Sequence, residues 1–236
     1  MRKNKSQRQC ASLPEGGNVS AQASPKGATS QVRVFLIAIC SLLALFCAGC
    51  AKREIKNIDS KGKNIICFGD SITFGYGVQT GEDYPTALAK LINMPVINAG
   101  IDGDTTTEAL KRLKSDVLDR DPLLVIIEFT GNDFLRKITK EETINNIKEM
   151  ADKIQEKGAM VAIVDISAGM FLAEYRKAFS KLAEEKGAIF IPRILSGIIT
   201  NPSMKSDFLH PNSKGYSLIA QKIYLATKPY LIKAHN

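Results

Sequence analysis

From Lys63 onward, short apolar runs alternate with longer stretches whose apolar positions recur at helical spacing. The runs predict strands at 64–69, 95–99, 123–130, 160–166 and 188–191. The amphipathic stretches between them predict helices at 84–92, 106–117, 140–156 and 173–186, with a last helix at 213–226. A run such as "LLVIIEF" at 123–129 is apolar on both faces, as a parallel strand covered on both sides must be. Repeated strand–helix alternation predicts an α/β protein, a three-layer α/β/α sandwich around a parallel sheet.

In such sheets chemistry gathers where strands end at their carboxyl edge. The first strand is followed by "GDSITFGYG", the second by "GIDGDTT" and the third ends in "TGNDF", while "DFLHPN" precedes the last helix. All four segments are rich in Gly, Asp, Ser, Asn or His, and all are expected on one rim. The chain has only two histidines, and His235 is next to last, which leaves His210 as the embedded one.

These segments supply what nucleophilic acyl transfer needs: a hydroxyl, a base, a group to orient the base, and donors for an oxyanion. Ser71 stands two residues past the first strand, in a turn able to feed a helix. His210 is the candidate base. Asp207 at i−3 is expected to reach the imidazole through a helical turn, with Pro211 as the first residue of the following helix. Gly103 can present a backbone N–H, Asn132 a side-chain amide, and Ser71 its own N–H. The neighbouring Asp70, Asp104 and Asp133 are expected to accept backbone N–H bonds that hold the turns. Phe74, Tyr76, Met170 and Phe171 are candidates either for an acyl pocket or for packing at core and rim. No G-x-S-x-G surrounds Ser71, which disfavours an α/β-hydrolase elbow.

The ordered blocks "GDSIT", "NAGIDGDTT", "TGNDF" and "DFLHPN" resemble those of the SGNH (GDSL) hydrolase family, closest to its bacterial thioesterase I/lysophospholipase L1 and arylesterase type. The resemblance covers about 64–231. It implies a flavodoxin-like sheet of five parallel strands, Ser71 as nucleophile, Asp207 and His210 completing a triad, and Gly103 and Asn132 with Ser71 in the oxyanion hole. It requires no cofactor. The stretch "DISAGMFLAEYRKAF" after the fourth strand is short and unlike its counterparts in relatives, where acyl specificity is shaped.

The N-terminal part is different material. Residues 1–31 are polar and rich in Ser, Gln, Gly and Pro, and are expected to be a disordered or non-native leader. Residues 32–50 read as a secretory signal, with Arg33 as basic flank and an apolar run behind it. Ala-Gly-Cys at 48–50 looks like the end of a bacterial lipobox, making Cys50 the lipidation site; an uncleaved membrane anchor is the alternative. Residues 51–62 are expected to link this segment to a hydrolase domain at 63–236. The whole chain carries a net +8, but residues 1–50 hold six basic residues and one acid. The remainder carries only +3, so charge gives no argument for nucleic acid. Beyond Cys50 the remaining cysteine is Cys67, in the apolar run "NIICFG", and it is expected as a small buried residue. The histidines and cysteines offer no metal site.

The expected protein is therefore a monomeric serine esterase acting on a small-molecule or lipid acyl ester. It is expected to be exported to the bacterial envelope and held at the membrane by its lipid anchor or N-terminal helix. A carbohydrate O-acetylesterase is the nearest alternative. An inactive envelope-binding lipoprotein on a hydrolase scaffold is the alternative from another class.

Overall fold

The computed structural model describes residues 54–168, 170 and 172–234. The expectations for the leader, the signal, Cys50 and Phe171 lie outside the described residues. Five parallel strands form the sheet: β1 (Asn64–Gly69), β2 (Val96–Gly100), β3 (Pro122–Glu128), β4 (Met160–Val164) and β5 (Ile189–Ile191). Their order is β2-β1-β3-β4-β5. The chain runs outward from β1 in one direction to β2 and in the other to β3, so the crevice between β1 and β3 is the switch point where such sheets bind ligands.

The helices are α1 (Ser71–Phe74), α2 (Tyr84–Ile92), α3 (Thr106–Asp116), α4 (Gly131–Leu135), α5 (Lys140–Glu156), α6 (Ala173–Glu185) and α7 (Ser213–Ala234). α2 packs on α7, while α3 packs on α5 and α5 on α6. Every residue of β3 is buried, and Ile65, Ile66, Cys67 and Phe68 of β1 have no exposed surface. That is why these strands show no polar alternation: both faces meet helices. Cys67 is fully buried as expected, and burial raises its thiol far above the usual range.

Helix starts are written locally. Asp83 caps α2 by accepting the Thr86 N–H, and Thr105 and Glu108 form a reciprocal capping box on α3. Two boundaries differ from the sequence reading. α7 runs to Ala234, past Pro229, because Leu231 is buried and its packing outlasts the one lost N–H. Pro211 does not begin that helix: α7 starts at Ser213, and Asn212 Oδ1 accepts the N–H groups of Lys214 and Gly215 at 3.1 and 3.2 Å.

Ahead of β1 the chain lies along the amino edge of the sheet. Ile55 is buried, Lys56 N–H donates to Gly187 O at 2.9 Å, and the Asn57 amide donates to Gln155 O and Ala159 O at 2.8 and 3.0 Å. Among the described residues, no helix is long and apolar enough to cross a membrane.

Candidate active site

The segments expected on one rim do meet there. Ser71 opens α1 directly after the β1 turn, where the first helical N–H groups lack intrahelical acceptors. Asp70 is its N-cap: Oδ1 accepts the Ile72 N–H at 3.0 Å. The turn is tight against β3. A Cβ on Gly69 would sit 2.1 Å from Thr73 Oγ1 and 2.6 Å from the Glu128 carbonyl oxygen, so only glycine fits.

His210 Nε2 lies 3.1 Å from Ser71 Oγ, and His210 Nδ1 lies 2.8 Å from Asp207 Oδ2. The partners fix the tautomer: Nδ1–H donates to the carboxylate, leaving Nε2 to accept from the serine hydroxyl. Asp207 reaches the ring without the expected helical turn. Its Oδ1 accepts the N–H groups of Leu209 and His210 at 2.7 and 2.8 Å, an Asx-type turn. Ser206 N–H donates to His210 O, and Lys205 pairs with Pro211 in an antiparallel bridge that closes the loop. A proline after His210 disfavours helical backbone there, which selects this turn. Burial raises the Asp207 carboxyl, but the hydrogen bonds from the His210 N–H, the His210 ring and the Leu209 N–H outweigh it and hold the group below the usual range.

Ser71, His210 and Asn132 line one cavity of about 180 Å3, whose apolar wall includes Ile72, Leu135, Ile166, Leu195, Ile199 and Leu209. Of the side chains proposed from sequence for an acyl pocket, Phe74, Tyr76 and Met170 do not line that wall. Phe74, Tyr76 and Met170 are exposed at the rim. Tyr76 instead lies on the His210 ring, with centroids 4.4 Å apart, and its carbonyl accepts the Tyr216 hydroxyl at 3.0 Å. Asn132 Nδ2 donates to Asp104 O at 3.0 Å. Gly103 stands beside the lining residue Asp102, with left-handed backbone at φ +76°, and its carbonyl accepts from Arg136 at 2.7 Å.

The flanking acids divide. Asp70 and Asp133 accept backbone N–H groups as expected, Asp133 from Thr106 at 2.9 Å. The Asp104 carboxylate also receives the Thr105 N–H, but its main partner is Arg112, at 2.6 Å. Arg112 also donates to the carbonyls of Ala99 and Gly69 and lies over the Phe68 ring, tying β1, β2 and α3 together beneath the site. Burial leaves Asp104 above the usual carboxylate range in spite of this cation. Sequence reading missed Arg112, whose carbonyl partners Ala99 and Gly69 come from the two preceding strands. It also missed Glu128, the lone acid in an otherwise apolar run, which was itself a signal. Among the described residues, no cluster of three His, Cys, Asp or Glu side chains is placed to hold a metal.

The profile of the GDSL-like lipase/acylhydrolase family matches residues 67–218. The chain belongs to this family. A curated relative of this GDSL protein is Esterase TesA of Pseudomonas aeruginosa, 29% identical over 200 residues, which span 80% of this chain and 99% of the relative. The lipoprotein YqeF of Bacillus subtilis is 36% identical over 100 residues, covering 39% of this chain and 38% of its own. Among solved structures, the psychrotrophic esterase EstA of a Pseudoalteromonas species, inhibited by monoethylphosphonate, aligns with a TM-score of 0.64 at 28% identity. It covers 72% of this chain and 99% of its own. The three-layer sandwich is thus the SGNH hydrolase fold, and the chain is an ester-hydrolysing enzyme of the GDSL family.

Proposed function

We propose that the GDSL protein is a serine esterase working through an acyl-enzyme, of the lysophospholipase/arylesterase type, on short to medium acyl esters. The observation that carries this reading is the continuous contact from Asp207 through His210 to Ser71, at 2.8 and 3.1 Å, opening into an apolar cavity. Ser71 Oγ attacks the ester carbonyl as His210 Nε2 takes its proton. Asp207 holds the ring and stabilises the imidazolium. The oxyanion is met by the N–H groups of Ser71 and Gly103 and by the Asn132 amide. The imidazolium then protonates the leaving alcohol, and water repeats the sequence on the acyl-enzyme to release the acid.

At about 180 Å3 the cavity is smaller than the roughly 300–1,000 Å3 of pockets that take drug-sized ligands. Among p-nitrophenyl esters of graded length, kcat/KM is expected to peak at butyrate to hexanoate and to fall at dodecanoate. A sharp preference for acetate over octanoate would move the reading to a carbohydrate O-acetylesterase, which the small cavity also favours. A flat profile out to dodecanoate would remove the cavity as the acyl site.

The export and anchoring reading is supported by Ala-Gly-Cys at 48–50 and by the likeness to lipoprotein YqeF. With Cys50 lipidated, the wild type partitions with membranes and Cys50→Ser is released to the soluble fraction. Equal partitioning of the two would discard Cys50 as the attachment point.

A further inference from the structure

One buried group beneath the site has no part in the steps above. Glu128 ends β3 directly behind the Ser71 turn and has no exposed surface. Its Oε2 accepts from Thr73 Oγ1 at 2.8 Å, and the Tyr84 hydroxyl reaches the same Thr73 oxygen at 2.9 Å. Its Oε1 is sealed from solvent and makes no well-formed hydrogen bond, although the Asp70 N–H lies against the same carboxyl. The group it meets is the carboxyl of Asp70. Two ionised carboxyls are acceptors only, and contact between them can only repel. One proton reverses this: the Glu128 carboxyl, once protonated, becomes the donor that Asp70 accepts.

Asp70 is not a remote partner. Oδ1 receives the Ile72 N–H that fixes the Ser71 turn, and Oδ2 is approached by the Asn132 amide at 3.4 Å. One carboxylate therefore touches the mounts of both the nucleophile and an oxyanion donor. We propose that Glu128 is a positioning residue: its buried, protonated carboxyl donates to Asp70, and Asp70 so held clamps the Ser71 turn to Asn132. The inference rests on Ser71 and Asn132 carrying the reaction proposed above.

The surroundings agree on which partner ionises. Burial raises Glu128 well above the usual range and repulsion from Asp70 raises it further, which outweighs the hydrogen bonds from the Thr73 hydroxyl and the Asp70 N–H. Burial pushes Asp70 up to about 7, while the Ile72 N–H and the Glu128 carboxyl restrain it, as does His210. Asp104, itself paired with Arg112, opposes ionisation of Asp70 from the α3 side. On the α2 side the field of Glu128 is felt by the buried Cys67 and Tyr84, and Asp83 adds negative charge next to Cys67. On the α7 side the Tyr216 hydroxyl feels both acids. Glu128 is thus surrounded by groups that are neutral or negative, and the neutral acid is the form that fits.

Glu128→Gln and Glu128→Met separate the possibilities. Glutamine reproduces the neutral acid: its oxygen accepts from Thr73 and its amide donates to Asp70. With p-nitrophenyl butyrate, Glu128→Gln is expected to keep kcat within about threefold, and Glu128→Met to lose about 10- to 100-fold in kcat with little change in KM. Wild-type kcat in the Met variant overturns the proposal, as does a loss in Glu128→Gln as deep as in Glu128→Met.

A second measurement does not depend on the Met variant folding. An acid with a raised native pKa contributes stability that is whole below its unfolded pKa, about 4.3 for Glu, and is lost as pH rises through the native value. Between pH 5 and 9 the wild type therefore loses stability that Glu128→Gln does not. The Tm of the Gln variant should gain about 3 °C or more on the wild type across that range. A constant gap overturns the shared proton. An inactive wild type with a growing gap would instead locate the failure in the esterase reading while leaving the carboxyl pair in place.

Discussion

Ser71→Ala is expected to leave a folded protein with kcat reduced on the order of 10⁴- to 10⁶-fold on p-nitrophenyl butyrate. The substitution removes only the hydroxyl that His210 contacts, because the cap of α1 is made by Asp70. Stability should stay within about 0.5 kcal/mol of the wild type. The wild type should show a burst of nitrophenol equal to the enzyme concentration, and the variant none. His210→Ala should fall nearly as far, and the double variant little further, since base and nucleophile act as one unit. Turnover undiminished in both variants would hand the site to the envelope-binding reading.

Asn132→Ala is expected to lower kcat about 10²- to 10³-fold, or ~2.7–4 kcal/mol of barrier, with KM nearly unchanged. The amide already donates to Asp104 O and approaches Asp70 Oδ2, so it is held in place before any substrate arrives. A donor fixed in advance loses nothing to reorganisation when charge develops on the carbonyl oxygen. A variant raised in KM alone would show that Asn132 grips the ground state and has no oxyanion role.

Much of this arrangement was readable in the chain, for identifiable reasons. The strands stood out because burial on both faces removes polar residues from them, and their order along the chain placed Ser71, Asn132 and His210 on one edge. What escaped reading depends on contacts between distant segments. Arg112 looks like any helical arginine until Asp104 and the carbonyls of Ala99 and Gly69 close on it. The cavity wall takes Leu195 and Ile199 from the irregular stretch after β5, where no periodicity marks which side chain turns inward. At Asp207 the spacing to His210 was right but the backbone was not. An i,i+3 pair suits a helix, and an Asx turn ahead of a proline delivers the same contact. Glu128 was visible as an acid among seven buried strand residues, but its meaning needed the neighbouring carboxyl.

The docking of residues 54–57 on the amino edge of the sheet puts the start of the described chain at the pole opposite the cavity mouth. The mouth opens at the carboxyl edge, and strands of five to seven residues set the two poles about 20 Å apart. The opening above Ser71 is thereby left clear of the segment that leads into β1.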